Sequence, residues 1–441
     1  MTLRIAWLGG APMEEAGGAP GVVRDLLDGL AREGHEIDCY FPGAGHQLPA
    51  RIAAHGNLTV TWGSSKLKGN RWYNKLPVGT FASGLSSRAL SSLRLRREIA
   101  RRHRERPYDL IYQNQWIESV GVPSSVLRSA PLVVRPDTES ASELRCLIAE
   151  RELSFRCQPR YVFFVVAAIL FLRAQLQRVM IRRASLLVCI SRVFRDHLVE
   201  DYDFPRGSTA VVPNPVCLER FAFNAAKPPG EPPIVLVPVR VSVRKGLEDV
   251  VEIAKLLRDR GVRVRLRVVG GASLWSDYTK LLEDLPGETA EYAGRVAHGD
   301  MPAEYANSDM MLLASKFDPC PMAVLEGLAC GVPIVATTEV GSTEGVEATV
   351  AQRLQPGDVE GMARAIEQML DRVRAQPEQM RSLARAEAER LFAPEVICGQ
   401  LSAALERLVA DGGPNGAGAA NGAGGGGRDG VAAAVRNGSH A

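Results

Sequence analysis

Two series of short apolar runs, each run separated from the next by an amphipathic stretch, occupy residues 3–212 and 234–391. That alternation is what strands produce when they cross over through helices into a parallel sheet, so the fold class is α/β with two doubly wound sheets. In the first series, residues 3–8, 36–41, 58–62, 110–112, 132–135, 186–190 and 210–212 read as strands. The clearest helix among them covers 21–32 and stops at Gly34, a C-terminal glycine. Residues 213–233 break the pattern, because prolines punctuate them and apolar periodicity lapses until Ile234; they read as an interdomain linker. The second series gives strands 234–240, 265–269, 289–292, 310–313 and 333–336, and helices 247–259, 276–282, 322–329, 362–370 and 377–391. The predicted domains are therefore 1–212 and 234–393, followed by an amphipathic helix over 394–410. Residues 411–441 are dominated by Gly, Ala and Asn, which bury too little apolar surface to fold, and they read as a disordered tail.

Composition removes several classes of function. With 46% hydrophobic and 23% charged residues the chain is globular, and no uninterrupted apolar run reaches the roughly 20 residues that span a bilayer. The run from Ile5 to Leu8 is too short for the core of a signal peptide. Eight cysteines without a Cys-x-x-Cys pair fit neither a disulfide framework nor a zinc site. A reduced, cytoplasmic protein is expected. Residues 1–212 carry 29 basic and 20 acidic side chains, the remainder 24 and 30, so the first half should face any anionic partner. It lacks the interleaved aromatic and basic residues of a nucleic-acid reader, and nucleic acid is not an expected partner. Residues 161–172 are twelve apolar residues flanked by Arg156, Arg160, Arg173, Arg178, Arg182 and Arg183, and 94–106 hold seven more arginines. Two readings stand: peripheral contact with an anionic membrane, or a core helix with a solvated basic flank.

The chemistry concentrates at two strand ends. Pro238 to Leu247 reads PVRVSVRKGL, in which a strand ends among Arg240, Arg244 and Lys245 and Gly246 opens a helix. Doubly wound sheets bind ligands at the carboxyl ends of their strands, where a helix N-terminus offers free amides to an anion. Arg240 and Lys245 would straddle a diphosphate there; the alternative is a solvated basic loop. Ser315 to Pro333 then places Asp318 in a strand-to-helix loop and Glu326 one turn into the helix, so both acids are expected at the edge of one pocket. A carboxylate that accepts two hydroxyls suits a ribose or hexose diol.

These segments resemble the retaining GT-B glycosyltransferases of family 4. The resemblance rests on Gly17-Gly18, Gly34-His35-Glu36, Val212-Pro213-Asn214, Leu218 to Phe221, Arg240 with Lys245-Gly246, Val269-Gly270-Gly271, Gly294-Arg295-Val296, and Ser315 to Pro333. It implies two facing Rossmann-like domains with a cleft between them, and a last helix over 394–410 that returns to the first domain. It implies transfer of a hexosyl group from a UDP- or GDP-sugar to a glycan, lipid-linked or small-molecule hydroxyl, with no metal and no other cofactor. Arg240 and Lys245 match the family's donor-diphosphate cations, Glu326 the acid that holds the ribose, and Asp318 the acid that contacts the donor sugar. Gly17, Gly18 and Gly270 match glycines near the donor. Asp318 stands where the family usually has Glu, and Pro319 and Pro321 where it has glycine. Donor contacts would then fall to the amides of Cys320, Met322 and Ala323. Tyr112 and Asn114, the acceptor-side candidates, stand where the family often has histidine. The rival readings are an epimerase or hydrolase on the same scaffold, which needs an acid and base across the cleft, and a non-catalytic nucleotide-sugar binder.

Overall fold

A computed structural model describes residues 1–13, 18–43, 45–64, 77–272 and 277–412. Gly17 and the predicted tail beyond 412 lie outside the described residues. The first sheet comprises β1 (Arg4–Leu8), β2 (Glu36–Pro42), β3 (Leu58–Gly63), β4 (Leu110–Asn114), β5 (Leu132–Arg135), β6 (Leu186–Cys189) and β7 (Thr209–Val211). All its pairings are parallel, in the order β3-β2-β1-β4-β5-β6-β7. Around it lie α1 (Ala19–Arg32), α2 (Ala50–Ala53), α3 (Pro77–Glu105), α4 (Ser124–Leu127), α5 (Ser140–Ala149), α6 (Arg151–Cys157), α7 (Arg160–Ile181) and α8 (Arg192–Tyr202).

The second sheet is built from β8 (Ile234–Pro238), β9 (Arg265–Val269), β10 (Ala290–Gly294), β11 (Met310–Leu313), β12 (Ile334–Thr337) and β13 (Ala351–Leu354), in the order β10-β9-β8-β11-β12-β13. Its helices are α9 (Leu247–Asp259), α10 (Met301–Asn307), α11 (Met322–Ala329), α12 (Val359–Ala375), α13 (Pro377–Phe392) and α14 (Pro394–Ala410). Both sheets are buried on two faces by crossover helices, which is why their strands read as continuous apolar runs. In each sheet the strand order reverses beside the first strand, β1 or β8, and that switch point opens a crevice at the carboxyl ends.

The two domains share cores. α14 returns to pack on α1, burying Ile397, Cys398, Leu401 and Leu405 completely. α6, although it belongs to the first series, packs Leu153 into the second domain's core, and Ser154 Oγ bonds to the Tyr278 hydroxyl at 2.8 Å. In α8, Ser191 caps the N-terminus by accepting from the Phe194 amide.

Several elements differ from the sequence reading. The helix expected over 276–282 is a 3-10 turn, Thr279–Asp284, ended by Pro286 two residues on. The apolar run 161–172 lies within α7, and the core-helix reading holds for one face only: Phe163 and Leu170 are buried, whereas Tyr161, Phe164, Phe171 and Leu172 are exposed. The arginines of 94–106 divide. Arg101, Arg102 and Arg106 pair with Glu98, Glu105, Asp38 and Glu36, so much of that charge is neutralised within the domain.

Candidate active site

A cavity of about 390 Å³ lies between the domains. From the second domain it takes Arg240, Arg244, Lys245, Asp318, Cys320, Met322 and Ala323; from the first it takes Gly18, Asp137, Thr138 and Glu143. The geometry follows from the chain locally. β8 ends at Pro238, a short 3-10 turn over Val243–Lys245 aims the basic side chains, and Gly246, at φ 62°, starts α9.

Lys245 is buried and its Nζ bonds Asp318 Oδ2. Burial pulls its ammonium down to about 8, against the attraction of Asp318 and with the repulsion of Arg244 and Arg240. Arg244 donates to the Phe317 carbonyl at 3.0 Å and lies 3.7 Å from Asp318 and 3.8 Å from Glu143. Arg240 is exposed and has no carboxylate partner among the described residues. Three cations thus face one carboxylate from their own domain, an arrangement that favours a bound anion. α11 adds to it: Pro321 precedes the helix without a side-chain cap. The amides of Cys320, Met322 and Ala323 have no protein acceptor among the described residues. Free amides at a helix N-terminus favour negative charge.

On the opposite wall, Gly18 holds φ 65° as the residue before α1, and a side chain there would meet nothing within 4 Å, so it faces open space. Behind it, fully buried Arg135 donates to Asn214 Oδ1 at 2.6 Å, and Asn214 Nδ2 donates to the Cys320 carbonyl at 3.4 Å. Asp137 accepts from Gln115 at 3.3 Å and sits 3.4 Å from Arg135, while burial raises its carboxyl above the usual range. Gln115 itself adopts φ 91°, a left-handed conformation that costs energy in a non-glycine residue and clusters at functional sites. Asp137, Thr138 and Glu143 were missed from sequence, although Arg135-Pro136-Asp137 ends a parallel strand, the place where such sheets bind ligands.

Other predicted residues lie elsewhere. Glu326 does not line this cavity: it is buried in α11, burial raises its carboxyl, and it accepts from the Tyr305 hydroxyl of α10 at 2.8 Å. Gly270 has a structural reason for being glycine, since a Cβ there would fall 1.6 Å from the Val239 carbonyl oxygen. Tyr112 is a fully buried strand residue stacked on Trp7 at 4.3 Å, and its hydroxyl has no partner among the described residues. Asn114 is buried in the same strand with its Oδ1 unbonded. Neither lines the interdomain cavity. Among the described residues no three His, Cys, Asp or Glu side chains cluster as metal ligands.

Comparison with known proteins decides the family. Residues 16–220 match the model of Glycosyltransferase Family 4, and residues 232–372 that of Glycosyl transferases group 1. The chain belongs to glycosyltransferase family 4. Over 240 residues the chain is 29% identical to WcaL of Escherichia coli (strain K12), a putative colanic acid biosynthesis glycosyltransferase, covering 52% of this chain and 58% of that one. It is 24% identical to mannosylfructose-phosphate synthase of Agrobacterium fabrum over 38% of this chain and 41% of the other. The chain thus spans about half the length of the curated relatives it matches. Among solved structures, sucrose-phosphate synthase from Thermosynechococcus elongatus superposes with a TM-score of 0.64 at 19% identity, covering 92% of this chain and 99% of that one. Anabaena Alr3699/HepE in complex with UDP-glucose gives 0.57 at 18% identity, covering 92% and 100%. These likenesses identify the glycosyltransferase fold as GT-B.

Proposed function

We propose that the protein transfers a hexosyl group from a UDP- or GDP-sugar to a glycan, lipid-linked or small-molecule hydroxyl, with retention at the anomeric carbon. The observation that carries this reading is the convergence of Arg240, Arg244, Lys245 and the open amides before and within the first turn of α11 on one interdomain cavity. A glycosyl transition state gathers positive charge on the sugar and negative charge on the departing diphosphate. Fixed cations and amides aimed at the diphosphate stabilise that state more than the ground state. Arg240, with no carboxylate partner among the described residues, takes the diphosphate directly; Lys245 and Arg244, held by Asp318, turn toward it as it arrives. Asp318 then stands at the sugar side of the cavity, and Gly18 leaves room for the phosphates from the other domain.

Leaving-group stabilisation by protein cations makes a metal unnecessary, and the departing phosphate accepts the proton of the acceptor hydroxyl. The UDP-glucose held by the Anabaena neighbour supports the donor class. The eight cysteines are free, which supports a reducing, cytoplasmic setting. One observation favours a hydrolase or epimerase instead: Asp137, with its raised carboxyl, lines the same cavity as Asp318 from the opposite domain. Incubating the protein with a panel of UDP- and GDP-sugars, with and without acceptors and with EDTA, separates the readings. Nucleotide release that requires an acceptor and survives EDTA supports transfer. Release without acceptor favours hydrolysis, an altered sugar without release favours epimerisation, and binding with neither favours the non-catalytic binder.

A further inference from the structure

α7 is the helix that carries the chain across from β5 to β6, and its two faces differ sharply. The inner face buries Phe163, Leu170, Ala174, Met180 and Ile181. The outer face presents Tyr161, Phe164, Phe171, Leu172, Leu176 and Val179 to solvent, with Tyr161 69%, Phe164 63% and Leu172 62% accessible. From Tyr161 to Val179 this stripe runs roughly 27 Å at 1.5 Å per residue. No exposed charge interrupts it until Arg178, because Arg173 turns inward and lines a cavity. Contiguous apolar surface of this kind marks a binding face.

Charge identifies what it binds. Arg151, Arg156 and Arg160 stand at one end of the stripe, and Arg178, Arg182 and Arg183 at the other; all six are exposed. Only Arg182 has a carboxylate partner among the described residues, Asp203 at 2.7 Å. Cations flanking an apolar stripe match anionic headgroups lying over acyl chains. A second copy of the chain would bring the same arginines against each other. By length and composition α7 is apolar enough to cross a bilayer. Spanning would, however, pull the crossover away from β5 and β6, adjacent parallel strands whose pairing it must preserve. The helix therefore lies in the interface.

The inner face supplies the second observation. Val166, Ile169 and Leu170 of α7, with Leu147, form the apolar wall of a cavity of about 240 Å³ whose other wall holds Arg173, Arg240 and Arg244. Thr138, Glu143, Arg240 and Arg244 also line the cavity assigned above to the donor, so the two spaces adjoin. We propose that α7 seats the protein in the headgroup layer of an anionic bilayer and that the cavity behind it receives the acceptor as a lipid-borne anionic amphiphile. The acceptor half rests on the transferase reading; the seating does not.

The test uses the full chain, vesicles of phosphatidylcholine with and without phosphatidylglycerol, and farnesyl phosphate as the amphiphile, with UDP and GDP titrations alongside. The protein should sediment with phosphatidylglycerol vesicles at low salt and be released by alkaline carbonate. The variant F164S/F171S/L172S should bind at least about tenfold more weakly while its UDP affinity is unchanged. Ile169→Asp should weaken farnesyl phosphate at least about tenfold with UDP affinity and vesicle binding retained. Absence of vesicle binding by a protein that binds UDP or GDP overturns the seating and leaves the donor reading intact; vesicle binding without binding of either nucleotide does the reverse. Retention after carbonate treatment overturns the interfacial pose. A dimer that the triple variant converts to monomer, without vesicle binding, assigns the face to a second copy and overturns the proposal. Farnesyl phosphate affinity that Ile169→Asp leaves unchanged overturns the acceptor half.

Discussion

Lys245 is the residue whose titration bears most directly on the chemistry. Its ammonium, pulled down to about 8 by burial, is charged below that pH and neutral above it. A diphosphate needs the charged form, so kcat/KM should fall as pH rises through about 8. Lys245→Arg stays charged over this range and should move the fall to higher pH, and Lys245→Ala should cost at least about 10²-fold in rate. A wild-type profile that stays level from pH 7 to 9.5 contradicts the assignment. Asp318→Asn removes the charge that holds the ammonium up, so its pH limb should shift downward and the donor KM at pH 7.5 should rise. Arg240, Lys245 and Asp318 were legible because each lies in a contiguous motif at a strand end. Asp137 and Glu143 were not, because folding brings them from the other domain. Glu326 was expected at the edge of the same pocket as Asp318 but does not line that cavity, because it pairs with Tyr305 on a helix the sequence pattern did not reveal.

Elements with a strong local signature were read closely, and weakly patterned ones were not. β5, β9, β11, α9 and α11 have the bounds expected of them, each being a short apolar run or a helical repeat with clear stops. β13 was missed because its residues, Ala351 to Leu354, lie at a sheet edge and mix polar with apolar side chains. Ser191 caps α8 locally, and the structure adds a contribution from far along the chain: Glu344 accepts from the amides of Arg192 and Val193 at 2.7 Å each. Ser191→Ala should cost about 1 kcal/mol of stability. Glu344→Ala should cost a comparable amount, and because both act on one helix end the double variant should depart from additivity. Chemical denaturation of the four proteins measures this; strict additivity would show the two caps to be independent.

At the scale of the molecule, α14 closes the structure on itself. Ile397, Leu401 and Leu405 are completely buried, and Ser402 Oγ lies 2.6 Å from His35 Nε2 of the first domain. Burying three such apolar side chains contributes roughly 1.5–3 kcal/mol each, a sum comparable with the whole stability of an ordinary domain. A chain ending at Ala393 should therefore be insoluble or unfold far below the full chain, as solubility and thermal unfolding would report; unchanged melting would show the returning helix to be dispensable. The sequence alone determined that two parallel sheets form and which strand ends carry cations, because periodicity and turn residues act over a few positions at a time. Only the tertiary structure decided that Asp137 and Asp318 line one cavity, that α6 serves the second domain's core, and that the described residues leave the outer face of α7 uncovered. Periodicity records that a face is apolar, but what packs against that face is set by chain segments hundreds of residues away.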